Sequence, residues 1–295
     1  MSGRPAGAAR PGGTLLPMAT PSLLALHVHP VKSLGGHAPD EAVVEPWGLA
    51  GDRRWMLTGA DGTMLTQRGV PGLARLRAVP LRDGGIEVTA PGREPLRAGV
   101  PGPGPTVPVK IFRDKVEAVP AGPAADAWFS AHLGAVTQLV YLDDPAHRRP
   151  VDPAYGRPGE TVGFADGFPL LLTTAASLGA LNSWIAEGDH AHEGPLPMNR
   201  FRPNVVIGGT EPWEEDHWAA VRIGGVVFRV VKTCARCVIT TTDQRTAERG
   251  KEPLHTLARK RNAGGRLLFG QNLIPEGTGT LRLGDPVQVV ARHPR

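Results

Sequence analysis

Two cysteines in a chain of 295 residues cannot staple a small secreted scaffold with disulfides, and they cannot furnish an array of zinc sites. The thiols are read as reduced and intracellular. Aromatic residues make up only 5%, and lysine is scarcer still, with six lysines against 27 arginines. These basic residues are scattered and form no run of the kind that grips nucleic acid, so a nucleic-acid partner is not expected. No apolar stretch reaches the roughly 18 to 20 residues that span a bilayer. The best early candidate, Thr14 to Val28, is broken by Pro17 and Pro21. Met1 to Thr20 has no uninterrupted apolar h-region of signal-peptide type, and its Gly, Pro, Ala and Arg predict a disordered leader over residues 1–20. Neither secretion nor membrane attachment is expected.

Several catalytic signatures are missing too. There is no G-x-S-x-G, no Walker A loop, no G-x-G-x-x-G and no H-E-x-x-H. Lys32-Ser33 follows His29-Pro30-Val31, where a phosphate loop demands glycine, so a nucleoside-triphosphate enzyme is not expected.

What is present suffices for a core. Hydrophobic residues make up 41%, and the length fits two domains better than one. Between Leu23 and Pro120, short β-like runs such as Leu24 to Val28, Arg54 to Leu57, Leu73 to Val79, Gly85 to Val88 and Val107 to Phe112 are split by turns. Ala60-Asp61-Gly62 and Arg82-Asp83-Gly84-Gly85 carry the Asp-Gly chemistry of hairpins. A helix over Ala124 to Leu133 and a strand over Val136 to Leu142 precede a polar loop from Asp143 to Gly159, where the domain boundary is placed. In the second half, Phe168 to Leu172 reads as a buried strand, and Thr173 or Thr174 can cap a helix with Leu178, Leu181, Trp184 and Ile185 on its apolar face. Strands follow at Asn204 to Ile207, Ala220 to Ile223, Val226 to Val231, Val238 to Thr242, Thr280 to Leu283 and Val287 to Val290, with a short helix over Leu254 to Arg261. The fold class is mostly β with some α, in two β-rich domains over residues 21–145 and 146–293.

The cysteines form Cys234-Ala235-Arg236-Cys237. A lone C-x-x-C has three readings: half a zinc site, a thioredoxin-type redox pair, or packing. Zinc lacks further ligands, since His217 and His255 have no ligand spacing. The redox reading wants a helix start, whereas the β-branched run after Cys237 favours a strand. Arg236 would favour thiolate at one cysteine, as a soft metal ligand requires. A second pattern places cations at strand ends, in Pro30-Val31-Lys32-Ser33, Gly51-Asp52-Arg53-Arg54 and Arg200-Phe201-Arg202-Pro203-Asn204. Such positions can gather around an anion, with lysine as a point charge and arginine as a two-pronged fork, or stand as solvated surface charge.

Taken in order, these residues resemble the MOSC family, the molybdenum cofactor sulfurase C-terminal fold, preceded by the N-terminal β-barrel domain that accompanies it. The chain is similar to bacterial relatives of the mitochondrial amidoxime-reducing component. The likeness runs from about Leu23 to Val290 and includes Gly48 to Arg53, Phe164 to Pro169, Phe201 to Asn204, Lys251 to Leu254, Phe269 to Leu273 and Gly284 to Pro286. It implies a MOSC-type β-barrel domain plus a smaller N-terminal β-rich domain, with a molybdenum-molybdopterin cofactor held between them. Cys237 then matches the family's thiolate ligand to molybdenum. Lys32, Ser33, Arg53 and Arg202 match positions that bind the pterin and its phosphate. Asn204, Ala235, Arg236 and Asn272 fall where the family's chain passes the cofactor, Asp166 with them. Asp243 is a candidate for support of the centre or for proton delivery.

The resemblance implies a reductase that removes oxygen from small N-hydroxylated substrates. The competing reading is a cofactor carrier or sulfur-relay module without reductase activity, which the lack of a fused cysteine-desulfurase domain disfavours. Two cysteines cannot bind a usual iron-sulfur cluster, so electrons are expected from a separate ferredoxin, flavodoxin or cytochrome b5-like protein with its reductase. With no membrane-anchoring leader of the mitochondrial kind, the expected location is the cytoplasm.

Overall fold

A computed structural model of the chain describes residues 20–294. The leader expected over residues 1–20 lies, except for Thr20, outside the described residues.

The first half builds its strands by simple alternation. In Ile86–Thr89 the side chains of Ile86 and Val88 are buried while Glu87 and Thr89 point away, the period-two signature of a sheet covered on one face. This strand lies between Arg77–Pro80 and Leu96–Ala98, and a separate sheet runs in the order Trp55–Gly59, Thr137–Tyr141, Asp114–Pro120 and Val107–Ile111. The helix Pro123–Leu133 starts on a proline and stops at Gly134, whose φ of 67° lets its amide reach the Ser130 carbonyl. Its Phe129 packs with Trp55, Leu57 and Leu139 in one buried cluster. Leu73 to Val79 is not a continuous strand but a 3-10 helix, Pro71–Arg75, followed by the strand Arg77–Pro80. Pro71 presets a turn and has no amide for a ladder, so Leu73 and Ala74 are buried from a helical turn.

The second half is an eight-stranded sheet whose main path is Ser22–Leu26, Val205–Gly208, Leu170–Thr174, Arg266–Pro275, Val226–Ala235, Trp218–Ile223 and Val287–Arg292. Leu170–Thr174 is central and parallel to Val205–Gly208, which is why it reads as an unbroken apolar run. Thr174 caps the following helix, Ala175–Ala186, by accepting from the Ser177 amide at 3.1 Å. The sheet curls until its two edges meet, with the Leu23 amide donating to the Asp285 carbonyl and the Val287 amide to the Pro21 carbonyl, both at 2.9 Å. Strand pairing also carries the start of the chain across. Ser22–Leu26 pairs with Val205–Gly208, and Glu41–Glu45 with Gly279–Arg282, so residues 22–49 join the sheets of the carboxy-terminal half. The architecture is mostly β with a few helices.

The expected strand Val238 to Thr242 is a 3-10 helix, Val238–Thr241. The Thr240 and Thr241 hydroxyls donate to the Cys237 and Val238 carbonyls, each at 2.9 Å, which satisfies a tight turn in spite of the β-branched composition. Strand Val226–Ala235 in turn runs four residues beyond the expected Val231 and delivers Cys234 to its end.

Gly270 holds two strands together at close range. Its φ is +82°, and a Cβ there would stand 2.7 Å from the Leu172 carbonyl oxygen. Gly270→Ala is therefore expected to destabilise the fold by about 2 kcal/mol or more, since it adds left-handed backbone strain to a clash with backbone that cannot move aside. A fall in the midpoint of thermal unfolding checks it.

Candidate functional site

The strand ends converge on one cleft. It is lined by the cations Lys32, Arg53, Arg68, Arg202 and Arg236, by the single carboxylate Asp166, and by both thiols, Cys234 and Cys237. Ser33, Asn204, Ala235 and Asn272 complete the set expected from sequence, and of that set only Asp243 is not in the wall. Five cations facing one carboxylate make the cleft a receptor for an anion.

The backbone presents these residues at a cost. Ser33, Arg53 and Arg202 have φ of 67°, 46° and 53°, a left-handed conformation that only six non-glycine residues adopt among those described. Three of the six lie in this wall. Such strain persists where the surroundings over-determine it, and here they do. The Arg53 guanidinium donates to Asp52 at 2.5 Å, to the Asn204 side-chain oxygen at 3.0 Å and to the Arg202 carbonyl at 3.1 Å. Asn204 also accepts from the Leu171 amide and donates to the His27 carbonyl, so it is a brace with its polar groups already engaged. Ser33 is fixed by Gln67, whose side-chain amide donates to its carbonyl at 2.7 Å.

The Arg202 guanidinium differs, since it makes no hydrogen bond among the described residues. Burial first, then the neighbouring Arg53, push its pKa well below the usual arginine range. A guanidinium does not surrender its proton on that account, so the direction marks a poorly solvated cation that a bound anion would relieve. Arg236 is better satisfied, donating to Cys234 Sγ at 3.0 Å and to the Phe201 carbonyl at 2.6 Å, yet its buried Nε has no partner. Arg68 donates to Asp166 at 2.9 Å and leaves its buried Nη1 unpaired. Burial works against its charge, but Asp166 and Cys237 together hold its pKa above the ordinary arginine value.

Lys32 donates to Asp166 at 2.6 Å and to the Phe164 carbonyl at 2.8 Å. Burial lowers its pKa to about 8 from the ordinary 10.5, with Asp166 opposing the shift and Arg149 and Arg53 adding to it. Burial would raise the Asp166 pKa, but Lys32 and Arg68 hold it well below the usual carboxylate range. The Asp166 side chain is 59% exposed, so water screens much of that attraction. Its share of stability is present above the ordinary aspartate pKa and lost as the pH falls below it.

The sign for Lys32 is the opposite of an ion-paired lysine's. Below about pH 8 the amine is charged in both the folded and unfolded chain and adds no pH dependence. Between about 8 and 10.5 only the unfolded chain keeps the proton, so this group's contribution to stability rises with pH while the cleft loses a cation. Binding of inorganic sulfate to the cofactor-free protein, measured calorimetrically, is therefore expected to weaken by about tenfold as the pH rises through that window. Lys32→Met should bind weakly throughout, without the inflection.

The thiols lie at the junction. Cys234 ends the strand Val226–Ala235, and Cys237 precedes the 3-10 turn; both are free and half-buried. Among the described residues no group of three or more His, Cys, Asp or Glu could cage a metal ion. A metal at these thiols would need its other ligands from a bound organic group.

Asp243 belongs to the loop beneath. Its carboxylate accepts from Arg200 at 3.1 Å and from the Arg245 and Thr246 amides at 2.8 and 3.0 Å. Of the two roles expected for it, support of the centre or proton delivery, these contacts suit support, since they tie its carboxylate to Arg200 and a turn outside the cleft wall.

Arg68 escaped the sequence reading. It lies in a turn with no strand end or motif to single it out, and it reaches Asp166 across 98 positions of chain. Gln67 had as little signal. It meets Gln244 at 3.1 Å, and Arg249 caps the carbonyls of both Gln67 and Arg68, locking the two halves on this side of the cleft.

A curled β-sheet with thiols and a cationic cleft at its strand ends defines a recognisable class. Residues 20–136 match the MOSC N-terminal beta barrel domain, and residues 159–288 match the MOSC domain. The chain is 31% identical to the mitochondrial amidoxime-reducing component 1 of Homo sapiens over 288 residues, covering 90% of this chain and 82% of that protein. It is 32% identical to the mitochondrial amidoxime reducing component 2 of Rattus norvegicus, covering 88% and 80%. It is also 31% identical to the molybdenum cofactor sulfurase of Oryza sativa subsp. japonica, covering 84% of this chain but 32% of that longer protein. The chain belongs to the MOSC family, with a MOSC N-terminal beta barrel domain ahead of the MOSC domain.

Proposed function

We propose that the chain is a molybdenum cofactor-dependent reductase that removes oxygen from small N-hydroxylated compounds such as amidoximes and hydroxylamines. The observation that carries this reading is the meeting of two accessible thiols and five cations in one cleft. The residues present fit a phosphorylated pterin. Arg202 offers a guanidinium without partners, Arg236 Nε and Arg68 Nη1 are buried and unpaired, and all three face the cleft. Surplus donors of this kind suit a group rich in phosphate and carbonyl acceptors.

Cys237 would be the thiolate ligand, the soft donor that molybdenum accepts. Lys32, Ser33, Arg53 and Arg202 would hold the phosphate end, with Asn204, Ala235, Arg236 and Asn272 along the pterin. When bound, the group supplies a two-electron removal of oxygen, in which the N–O bond breaks and two electrons and two protons convert an amidoxime to an amidine and water. The chain's own part is to bind and orient. Arg53, braced by Asp52 and Asn204, keeps the phosphate subsite in place without reorganisation. Arg68 holds positive charge beside Cys237 in the cleft wall. Asp166, kept ionised between Lys32 and Arg68, neutralises part of that charge at the mouth. Electrons come in this proposal from a separate ferredoxin, flavodoxin or cytochrome b5-like protein with its reductase. The cytoplasm is the proposed location, on the scarcity of cysteine.

A second reading has the likeness to a molybdenum cofactor sulfurase in its favour: a carrier or sulfur-relay module in which Cys237 accepts a persulfide. One experiment separates the two. Protein expressed where the cofactor is made should contain molybdenum by elemental analysis and should reduce benzamidoxime with an artificial electron donor. Protein without molybdenum would sink the reductase reading, and molybdenum without turnover would favour the carrier.

A further inference from the structure

A second cavity adjoins the first and is wider, about 1060 Å³ against about 160 Å³. The two share Asp166, Gly167, Phe168, Cys234, Ala235 and Asn272, so they form one continuous cleft with Cys234 at the junction and Cys237 in the first cavity. The ends differ in chemistry. The first gathers five cations around the one carboxylate Asp166, whereas the second sets Arg113, Arg149, Arg157 and Lys232 against Asp114, Asp152 and Asp166; Phe168 lines both, and Phe112, 52% exposed, lines the second.

Charge in the wider cavity is mostly cancelled by ion pairs, some with residues outside its wall. Asp114 is paired with Arg149 at 2.9 Å, Asp166 with Lys32 and Arg68, and Arg157 with Glu276 at 2.8 Å. Asp152 is exposed and accepts the Ala154 amide of its own turn, and Arg113 is exposed to solvent. Lys232 stands apart from these. It is half-buried, and its ammonium makes no hydrogen bond or ion pair among the described residues, resting instead 4.2 Å from the Tyr155 ring centre and 5.9 Å from that of Phe168. An ammonium held over aromatic faces keeps its charge yet remains short of acceptors. Lys232 and Cys234 are alternate residues of one strand and both line the cavity, about 7 Å apart along the chain. A flat ring can therefore lie between a group at the Cys234 thiol and a group at the ammonium, since both side chains line the same cavity.

We propose that the wider cavity is the substrate subsite and that Lys232 sets its specificity, favouring flat, ring-bearing N-hydroxylated compounds with an anionic substituent on the side of the ring away from the N–OH group. The inference rests on the reductase reading for its reaction, but not for its binding chemistry. The ring of Phe168 in the wall supplies a stacking face, and Lys232 supplies the counter-charge.

The test compares benzamidoxime with 4-carboxybenzamidoxime on the molybdenum-loaded protein, alongside calorimetric binding of the product amidine, 4-carboxybenzamidine, against benzamidine. Wild type should favour the carboxylate compound in kcat/KM, and Lys232→Gln should cut that preference by about tenfold, through KM more than kcat. Lys232→Arg should keep most of it, and the calorimetric preference should follow the same order. Equal handling of the two compounds by wild type, or a preference unmoved in Lys232→Gln, overturns the inference. Loss of molybdenum from Lys232→Gln overturns it as well, by assigning the cavity to the cofactor. Failure of wild type to reduce either compound defeats the reductase reading alone, and the calorimetric comparison still decides the role of Lys232.

Discussion

Cys237→Ser is expected to abolish reduction of N-hydroxylated substrates while leaving the fold unchanged. A serine hydroxyl is a hard, poorly ionised donor, and the soft centre proposed here is held to the protein by sulfur. Changes even in the groups that orient metal ligands cost about 10–100-fold, so loss of the ligand itself should exceed that range. The fold should tolerate the exchange, because Cys237 is half-buried at the start of a turn whose hydrogen bonds come from Thr240 and from backbone. Cys234→Ser should be milder. Cys234 takes a hydrogen bond from Arg236, which a hydroxyl can also accept. Turnover with an artificial donor, read beside thermal unfolding, checks both variants. Full activity in Cys237→Ser with a dead Cys234→Ser would reverse the assignment of the ligand.

Arg202→Ala should lower molybdenum occupancy in purified protein and shrink the gap in melting temperature between cofactor-loaded and cofactor-free forms. A ligand that binds only the folded chain stabilises it by mass action, and each charge-assisted hydrogen bond lost costs about 1.5 to 3 kcal/mol. Position 202 allows a further control. Its φ of 53° strains any side chain, so Arg202→Gly removes the guanidinium and relieves the backbone together. The cofactor-free Gly variant should melt no lower than wild type, yet its loaded form should show the same small gap as the Ala variant. Arg202→Lys should recover occupancy only in part, since an ammonium cannot make the planar two-pronged contact. An unchanged gap in all three would remove Arg202 from the cofactor site.

Much of the fold was legible because the signals were local. The helix Pro123–Leu133 carries proline at its start and glycine at its stop, and Thr174 stands at the cap of the next long helix. Most strands showed themselves by alternation or by β-branched runs. The failures came where local chemistry points two ways. Val238 to Thr242 has strand composition, but its threonine hydroxyls can close a 3-10 turn instead, and nothing in the five residues decides between the two.

The sequence alone determined the inventory: a thiol pair at fixed spacing, cations at strand ends, a β-rich chain with too little cysteine for a metal cage of its own. Tertiary structure decided what these groups face. Lys32 meets Asp166 across 134 positions and Arg53 meets Asn204 across 151, distances over which composition and spacing carry no information. It recruited Arg68 from an unremarked turn, and tied Asp243 to Arg200 and a loop. It also twisted Ser33, Arg53 and Arg202 into the left-handed region that their residue types disfavour. The reason is that a side chain's type sets what it can bind, whereas its partner, its solvation and its backbone strain are set by whichever distant segments the closed sheet brings against it.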